Sequence, residues 1–321
     1  MSITLRQLGY LTALARHRHF GRAAEECAVS QPALSVQIQA LEAVLGTTLV
    51  ERGRGHVELT PAGIEVVGRA GRILLEVNDL IEQARHGREI LTGQLRVGAI
   101  PTLAPYLLPT ALPYLQRHHP ELELQIRETQ TAALTEELLR GVLDVLILSL
   151  PIAHPEIETV VLFADRFLVA LPASHALAAA AEIAPARLTG ERLLLLEEGH
   201  CLRDQALDYC QQGEPRAVSG FGASSLSTIV QMVANGLGIT LLPELARSIG
   251  EHDPRLVLRP LTPPQPCRQI GLAWRRSSPR KPDFMALARL LLASRALPAD
   301  QLVGVVTAPS SGSRPPQTSP A

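Results

Sequence analysis

The chain has 321 residues, too many for one ordinary core, and divides most naturally into two or three domains. Apolar residues make up 46% and charged residues 19%, a globular balance without the run of ~18 apolar residues that a membrane helix needs, so a soluble protein with no membrane role is expected. A net charge of -1 gives no global nucleic-acid signature, and four cysteines are too few for a disulfide framework, so any nucleic-acid or redox chemistry must come from local arrangement.

The N-terminus opens directly into an amphipathic pattern containing Arg6, with no basic stretch, apolar core and small-residue cleavage site, which predicts a cytoplasmic protein. Leu5, Leu8, Leu11, Leu14 and Ala15 recur at helical spacing, and Ala23, Ala24 and Cys27 mark a short second helix that breaks at Ala28-Val29-Ser30. Ser30 is an N-cap for a third helix, with Pro32 tolerated in its first turn and Leu34, Ile38 and Leu41 forming its buried stripe. Between Thr47 and Thr60, Leu49, Val50, Val57 and Leu59 flank Gly53-Arg54-Gly55, the pattern of a two-stranded wing. The sum is a winged helix-turn-helix over residues 1–60. Its third helix turns Gln31, Pro32, Ser35, Val36 and Gln39 outward, where Gln bonds adenine edges and Ser is an adaptable partner. Arg52 and Arg54 in the wing are placed for phosphate or a minor groove. Singly, each of these residues is an ordinary solvated side chain; their order along the chain gives them weight.

From the cap Thr60 and Pro61 a helix is expected to run to about Leu91, roughly 45 Å at ~1.5 Å per residue. Val67, Ala70, Leu74, Val77, Ile81 and Ala84 alternate three and four apart, a heptad seam for dimerisation, with packing on its own domain as the plainer reading. After Gly93, apolar runs at Leu95–Ile100, Leu122–Thr129, Val145–Leu150, Phe167–Pro172, Leu193–Glu197, Ile239–Pro243 and Arg268–Arg275 alternate with helical patterns. This predicts an α/β region at 93–300 in two lobes, lobe I at about 93–163 and 268–300 and lobe II at about 165–266, with a ligand cleft between them. The Pro, Ser, Gly and Thr of residues 309–321 cannot bury a core and predict a disordered tail.

Cys201 and Cys210 lie nine positions apart where a loop turns into a helix. A cysteine at a helix start feels the positive end of the dipole, and His200 or Arg203 nearby would further lower the thiol pKa. Spacing alone leaves two readings open, small core residues or a reactive pair; zinc fits less well, because no CxxC or second histidine is near. If the segment is helical, nine residues separate the Cα atoms by ~13 Å, whereas a disulfide needs them within ~7 Å, so joining the two sulfurs would require unwinding.

Phe20-Gly21-Arg22-Ala23-Ala24, Val29-Ser30-Gln31-Pro32-Ala33-Leu34-Ser35, Gln37-Ile38, Leu41-Glu42 and Leu59-Thr60-Pro61-Ala62-Gly63 together resemble the signature of the LysR-type regulators. The resemblance extends over nearly the whole chain. It implies a winged helix-turn-helix, a linker helix that dimerises, a periplasmic-binding-protein-like effector domain and a homotetramer acting on a double-stranded DNA operator with RNA polymerase. Gly199-His200-Cys201-Leu202-Arg203-Asp204-Gln205-Ala206 with Cys210 resembles the redox segment of the OxyR-type, peroxide-sensing branch of that family. That resemblance implies hydrogen peroxide as the signal and control of oxidative-stress genes. It makes Cys201 the peroxidatic and Cys210 the resolving cysteine, joined in a disulfide and reset by a reductant of glutaredoxin or thioredoxin type. Through Ile100-Pro101-Thr102 and Thr129-Gln130-Thr131 it further implies a peroxide pocket of Thr102, Thr131 and His200, supported by an Arg268 and Asp204 pair. No cofactor and no metal is implied. Two departures stand out: no basic residue occupies the two positions after Ile38, and the segment Phe221-Gly222-Ala223-Ser224-Ser225-Leu226 places a serine where a threonine is expected. The competing readings are a regulator binding a small organic effector in the interlobe cleft, and a thiol peroxidase, against which the DNA-binding head argues.

Overall fold

The computed structural model describes residues 2–53, 57–85, 90–210, 216–217 and 223–294. The chain forms two units, Met1–Arg88 and Glu89–Ala321. In the first, α1 (Leu5–His17) starts at a capping box: Thr4 Oγ1 accepts from the Gln7 amide at 3.3 Å, and Gln7 Oε1 accepts from the Thr4 amide at 2.9 Å. The imidazole Nδ1 of His19 caps α2 (Phe20–Glu26), accepting from the Gly21 amide at 3.0 Å. Ser30 Oγ caps α3 (Gln31–Leu45) through the Ala33 amide, and Gly46 ends it in the left-handed region at φ 68°. Leu34, Ile38 and Leu41 are fully buried against Leu11, Leu14 and Ala23, the stripe that the spacing predicts.

β1 (Val50–Arg52) and β2 (Val57–Leu59) pair antiparallel with Val50 opposite Leu59, forming the wing. Glu42 pins the start of this wing to α3, because its Oε1 accepts from the Leu49 amide at 2.7 Å and the Val50 amide at 3.2 Å. Thr60 then caps α4 (Pro61–Arg85), accepting from the Gly63 amide at 2.9 Å and donating to Thr48 O at 2.7 Å. A Cβ at Gly63 would stand 2.0 Å from Leu49 O, so only glycine permits this approach of helix and wing.

The α4 seam differs from the heptad expectation. Val67 packs with Val66 into the core of its own head, and Ala70 is buried. Leu74 and Val77 are half-buried, while Ile73, Leu80 and Ile81 are 46%, 65% and 41% exposed. The helix thus gives Val66, Val67 and Ala70 to the wing domain, while Ile64 in its first turn and Ile73, Leu80 and Ile81 further on are exposed. Nor does helix continue to Leu91: Ile90 to Thr92 form a turn, and Leu91, at φ 59°, is buried in the second unit's core with its amide bonded to Asp283 Oδ1 at 3.1 Å.

The second unit begins with β3 (Gly93–Ala99), α5 (Ala104–His118), β4 (Leu122–Glu128), α6 (Thr131–Leu139) and β5 (Val145–Leu150). It continues through β6 (Ile157–Pro172), β7 (Arg192–Leu193), α7 (Cys201–Cys210), β8 (Arg216–Ala217), α8 (Leu226–Ala234), β9 (Thr240–Pro243) and α9 (Ser248–Glu251). It ends, within the described residues, with β10 (Leu256–Pro260), β11 (Cys267–Arg275) and α10 (Lys281–Ala293). The main sheet has the order β10-β6-β11-β5-β3-β4, with β9 also on β6. β3 is parallel to β4 and β5, and β11 is antiparallel to β5 and β6. The first half of β6 pairs with β11 and its second half with β9 and β10, so one sixteen-residue strand serves two cores. Phe163 lies in the core of lobe I and Phe167 in that of lobe II. The apolar run Leu193–Glu197 is mostly not strand: only Arg192–Leu193 pairs with β8, and Leu194 to Leu196 are buried by lobe II packing. Residues 309–321, expected to be disordered, lie outside the described residues.

Candidate functional site

Three loops meet at the boundary between the lobes. The turn after β3 brings Ile100, Pro101 and Thr102; the β4–α6 connection brings Gln130 and Thr131; the loop before α7 brings Gly199, His200 and Cys201. They line one narrow crevice with essentially no free space in it. Thr131 and Cys201 are the first residues of α6 and α7, so the positive ends of two helices face the same space. Gly199 makes this closeness possible: its φ is 91°, and a Cβ there would lie 2.4 Å from Gln130 Oε1. Gln130 Nε2 donates to Glu198 O at 3.2 Å and Gln205 Nε2 to Ser149 Oγ at 2.8 Å, tying the α7 segment to lobe I.

Arg268 and Thr102 are buried beside the crevice. Arg268 Nη1 donates to Thr102 Oγ1 at 2.8 Å and Nη2 to Thr102 O at 3.0 Å. Its carboxylate partner is Asp165, with Nε and Nη2 at 3.0 and 2.9 Å from Oδ2. This corrects the Arg268 and Asp204 pairing: Asp204 is exposed on α7, and no bond joins it to Arg268 among the described residues. The reason is register, because Arg268 stands directly opposite Asp165 on the antiparallel β11 and β6 ladder.

The Cys201 thiol is also different from expectation. Burial pushes its pKa up from the ordinary thiol value, against downward pulls from the Arg268 charge, the Thr131 hydroxyl and the Leu202 amide; Asp204 adds to the upward shift. The helix start does not win because desolvation is the largest effect. Neither expected helper supplies the opposing charge: Arg203 Nη1 donates to Leu196 O at 3.0 Å, and the buried His200 has its Nε2 3.8 Å from Glu197 Oε1. The Thr131 hydroxyl favours the thiolate from alongside, yet its buried Oγ1 has no hydrogen-bond partner of normal geometry.

α7 straddles both lobes. Cys201 packs against the core of lobe I, whereas Leu202 and Ala206 are in that of lobe II. Helical backbone runs unbroken to Cys210, whose side chain lies outside the described residues. Beneath α7, Leu195, Leu202, Ala206 and Ile229 among others line a second, nearly filled crevice. Cys27 is half-buried in the head core and Cys267 is exposed at the start of β11.

On α3, Gln31, Pro32 and Gln39 are exposed, Val36 is 57% exposed and Ser35 is half-buried. Arg54 and the side chain of Arg52 lie outside the described residues. Gln37, next to this face, accepts from Gln7 Nε2 at 3.2 Å and so fixes α3 on α1. Sequence reasoning missed Asp165, Gln130, Gln205 and Ser149. Of these, Gln130 and Gln205 stood inside the segments that carry the resemblance, and Asp165 stood out as a lone acid between Phe163 and Phe167.

A winged helix-turn-helix head followed by a two-lobed α/β unit defines a DNA-binding regulator with a sensor domain. Residues 5–64 match the bacterial regulatory helix-turn-helix of the LysR family, and residues 88–296 match the LysR substrate binding domain. The chain belongs to the LysR family of bacterial transcriptional regulators. It is 43% identical over 291 residues to the DNA-binding transcriptional dual regulator OxyR of Escherichia coli, covering 91% of this chain and 95% of that one. A cysteine-to-aspartate variant of full-length OxyR from Pseudomonas aeruginosa superposes with a TM-score of 0.75 at 40% identity, covering 91% of this chain and 95% of that one. A cysteine variant of Corynebacterium glutamicum OxyR, solved with hydrogen peroxide bound, gives 0.63 at 36% identity over 92% and 93% of the two chains. These relatives are regulators, not enzymes. No described helix is long and apolar enough to cross a membrane, and no group of metal-binding side chains occurs among the described residues.

Proposed function

We propose that the chain is a cytoplasmic hydrogen-peroxide sensor that regulates transcription of oxidative-stress genes through a Cys201–Cys210 disulfide. The observation that carries this reading is the convergence of Thr102, Thr131, His200 and Cys201 on one narrow crevice. Organic ligands commonly occupy ~300–1,000 Å³, for which this crevice has no room. The Corynebacterium glutamicum relative solved with hydrogen peroxide bound supports the same choice.

The Cys201 thiolate attacks one oxygen of peroxide, the O–O bond breaks, and the second oxygen leaves as hydroxide and takes a proton to become water. Thr131 directs its unpartnered hydroxyl at the peroxide. Thr102, whose Oγ1 already accepts from Arg268, has its own proton free to donate. His200 walls the space, and the Arg268 charge favours the departing hydroxide. The thiol of Cys210 then displaces the sulfenic oxygen as water, forming the S–S bond; the two thiols have together lost two electrons and two protons. As α7 is helical between the two residues, ~13 Å of rise must collapse for this bond to form. The helix unwinds. Asp204 acts only as a remote opposing charge on the thiol.

The head reads an operator through Gln31, Pro32, Ser35, Val36 and Gln39, with Arg52 and Arg54 on the backbone. Dimers form through α4, where Leu74, Val77 and Ile81 join Ile73 and Leu80, and pair into tetramers. RNA polymerase is the downstream partner and a glutaredoxin or thioredoxin restores the dithiol.

Intact mass after brief treatment with stoichiometric peroxide tests the chemistry. The expected product has lost two hydrogens, and trypsin, cutting after Arg203, yields the Cys201 and Cys210 peptides joined. A chain that stays dithiol excludes it. If Cys201→Ser still answers peroxide at the promoter, the small-effector reading takes its place.

A further inference from the structure

Strand β5 lies between β11 and β3, is buried at every position, and carries a single polar side chain, Ser149. Ser149 is 5% exposed, stands opposite Ile270 on β11, and is flanked in the chain by Leu148 and Leu150 of the lobe I core. A hydroxyl buried among apolar neighbours needs a partner, and this one finds it on α7, where Gln205 Nε2 donates to Ser149 Oγ at 2.8 Å. The other end of that carboxamide, Oε1, is buried and has no hydrogen-bond partner, so its pairing rests on Ser149. The neighbouring side chains of α7 belong to lobe II: Leu202 and Ala206 are in its core, and Arg203 Nη1 donates to Leu196 O at 3.0 Å.

We propose that Ser149 is a positioning residue for the thiol chemistry: by holding Gln205 it fastens the middle of α7 to lobe I in the dithiol form and so opposes closure of the Cys201–Cys210 disulfide. The claim rests on the reading of those two cysteines as the redox pair. Gln205 stands four residues after Cys201 and five before Cys210. The ~13 Å of helical rise between the cysteines cannot collapse without carrying Gln205 along, so its bond to Ser149 belongs to the dithiol form alone. Once α7 unwinds, the carboxamide is free to bond water. Take away the Ser149 hydroxyl and the dithiol form keeps a carboxamide paired at neither end, whereas the disulfide form loses nothing, so the whole cost falls on one side of the equilibrium. A hydroxyl that merely filled the core would weaken both forms alike.

The test is the dithiol–disulfide equilibrium of the full-length chain in glutathione buffers of stepped redox ratio, read by intact mass after acid quenching. Oxidised glutathione takes the two electrons and two protons of the thiols and becomes two molecules of reduced glutathione. Ser149→Ala, which fits wherever serine fits, should favour the disulfide about tenfold and so lower the midpoint potential by about 30 mV. Gln205→Ala should shift it in the same direction, and the double variant should go no further than the larger single shift, because both changes remove one and the same bond. A Ser149→Ala equilibrium constant within twofold of the parent overturns the proposal even where Tm falls, since a core defect shared by both forms lowers Tm without moving the potential. Shifts that add in the double variant overturn it too, because the two side chains then act separately. A parent that forms no disulfide in any buffer removes both this claim and the redox reading of the pair; a parent that titrates, beside a Ser149→Ala chain that titrates identically, sinks only the role of Ser149.

Discussion

Replacing Thr131 with valine should make the protein at once more stable and less responsive. The Oγ1 of Thr131 is buried with no partner beyond the Cys201 sulfur alongside it, and a buried hydroxyl left so poorly satisfied costs about 1–3 kcal/mol. Valine keeps the branched shape and fills the same volume. The helix start does not suffer, because the N-cap of α6 is Gln130 and no side-chain capping bond is lost. A gain of about 1 kcal/mol or more is expected, which for a unit of this size is a rise in Tm of about 2–4 °C per kcal/mol. The same change removes a donor from the pocket and the hydroxyl that favours the Cys201 thiolate. Together these should slow disulfide formation roughly tenfold, the equivalent of about 1.4 kcal/mol. Calorimetry of the reduced full-length chain and acid-quenched peroxide time courses measure the two effects. A lower Tm would show that the hydroxyl is satisfied in solution, and an unchanged oxidation rate would remove Thr131 from the chemistry.

Because burial holds the Cys201 pKa above its ordinary value, the reaction with peroxide should keep accelerating about tenfold per pH unit beyond ~8.5; a plateau below pH ~8 in stopped-flow traces would contradict this. The sign for stability is opposite: the folded thiol holds its proton more tightly than the unfolded one, so its contribution is present below ~8.5 and is lost as pH rises above it, which denaturant titration at high pH would register. Gly63→Ala must displace the backbone carbonyl of Leu49, 2.0 Å from the new methyl group; we expect the head to lose about 1–3 kcal/mol and operator binding to weaken, while an unchanged thermal transition would show that the wing yields freely.

The head was largely legible because its signals are local. Ser30, the Leu34, Ile38 and Leu41 stripe and the glycine-bearing wing act within a few residues of one another. The two-lobed α/β class followed from alternation, and the reactive segment from a motif. What could not be read is what depends on contacts distant in sequence. The partner of Arg268 is decided by strand register with a residue 103 positions away, which no local pattern encodes. The direction of the Cys201 shift depends on how deeply the thiol is covered, and charge lists around a helix start do not report depth. Val67 misled because period alone cannot tell which neighbour a helical face meets; the wing claimed it first. The run Leu193–Glu197 misled for a related reason, since buried apolar chain with only a two-residue ladder and isolated bridges at Leu193 and Leu196 has the composition of a strand.

The long strand β6 constrains how any signal can leave the sensor. Its pairing with β11 reaches Arg166 opposite Cys267, the Phe167 amide then donates to Pro266 O at 3.0 Å, and β9 takes over at Phe167. No slack peptide separates the halves at this crossing, so swinging them like jaws would tear a continuous ladder. A shape change confined to α7 and its flanking loops would leave that spine intact.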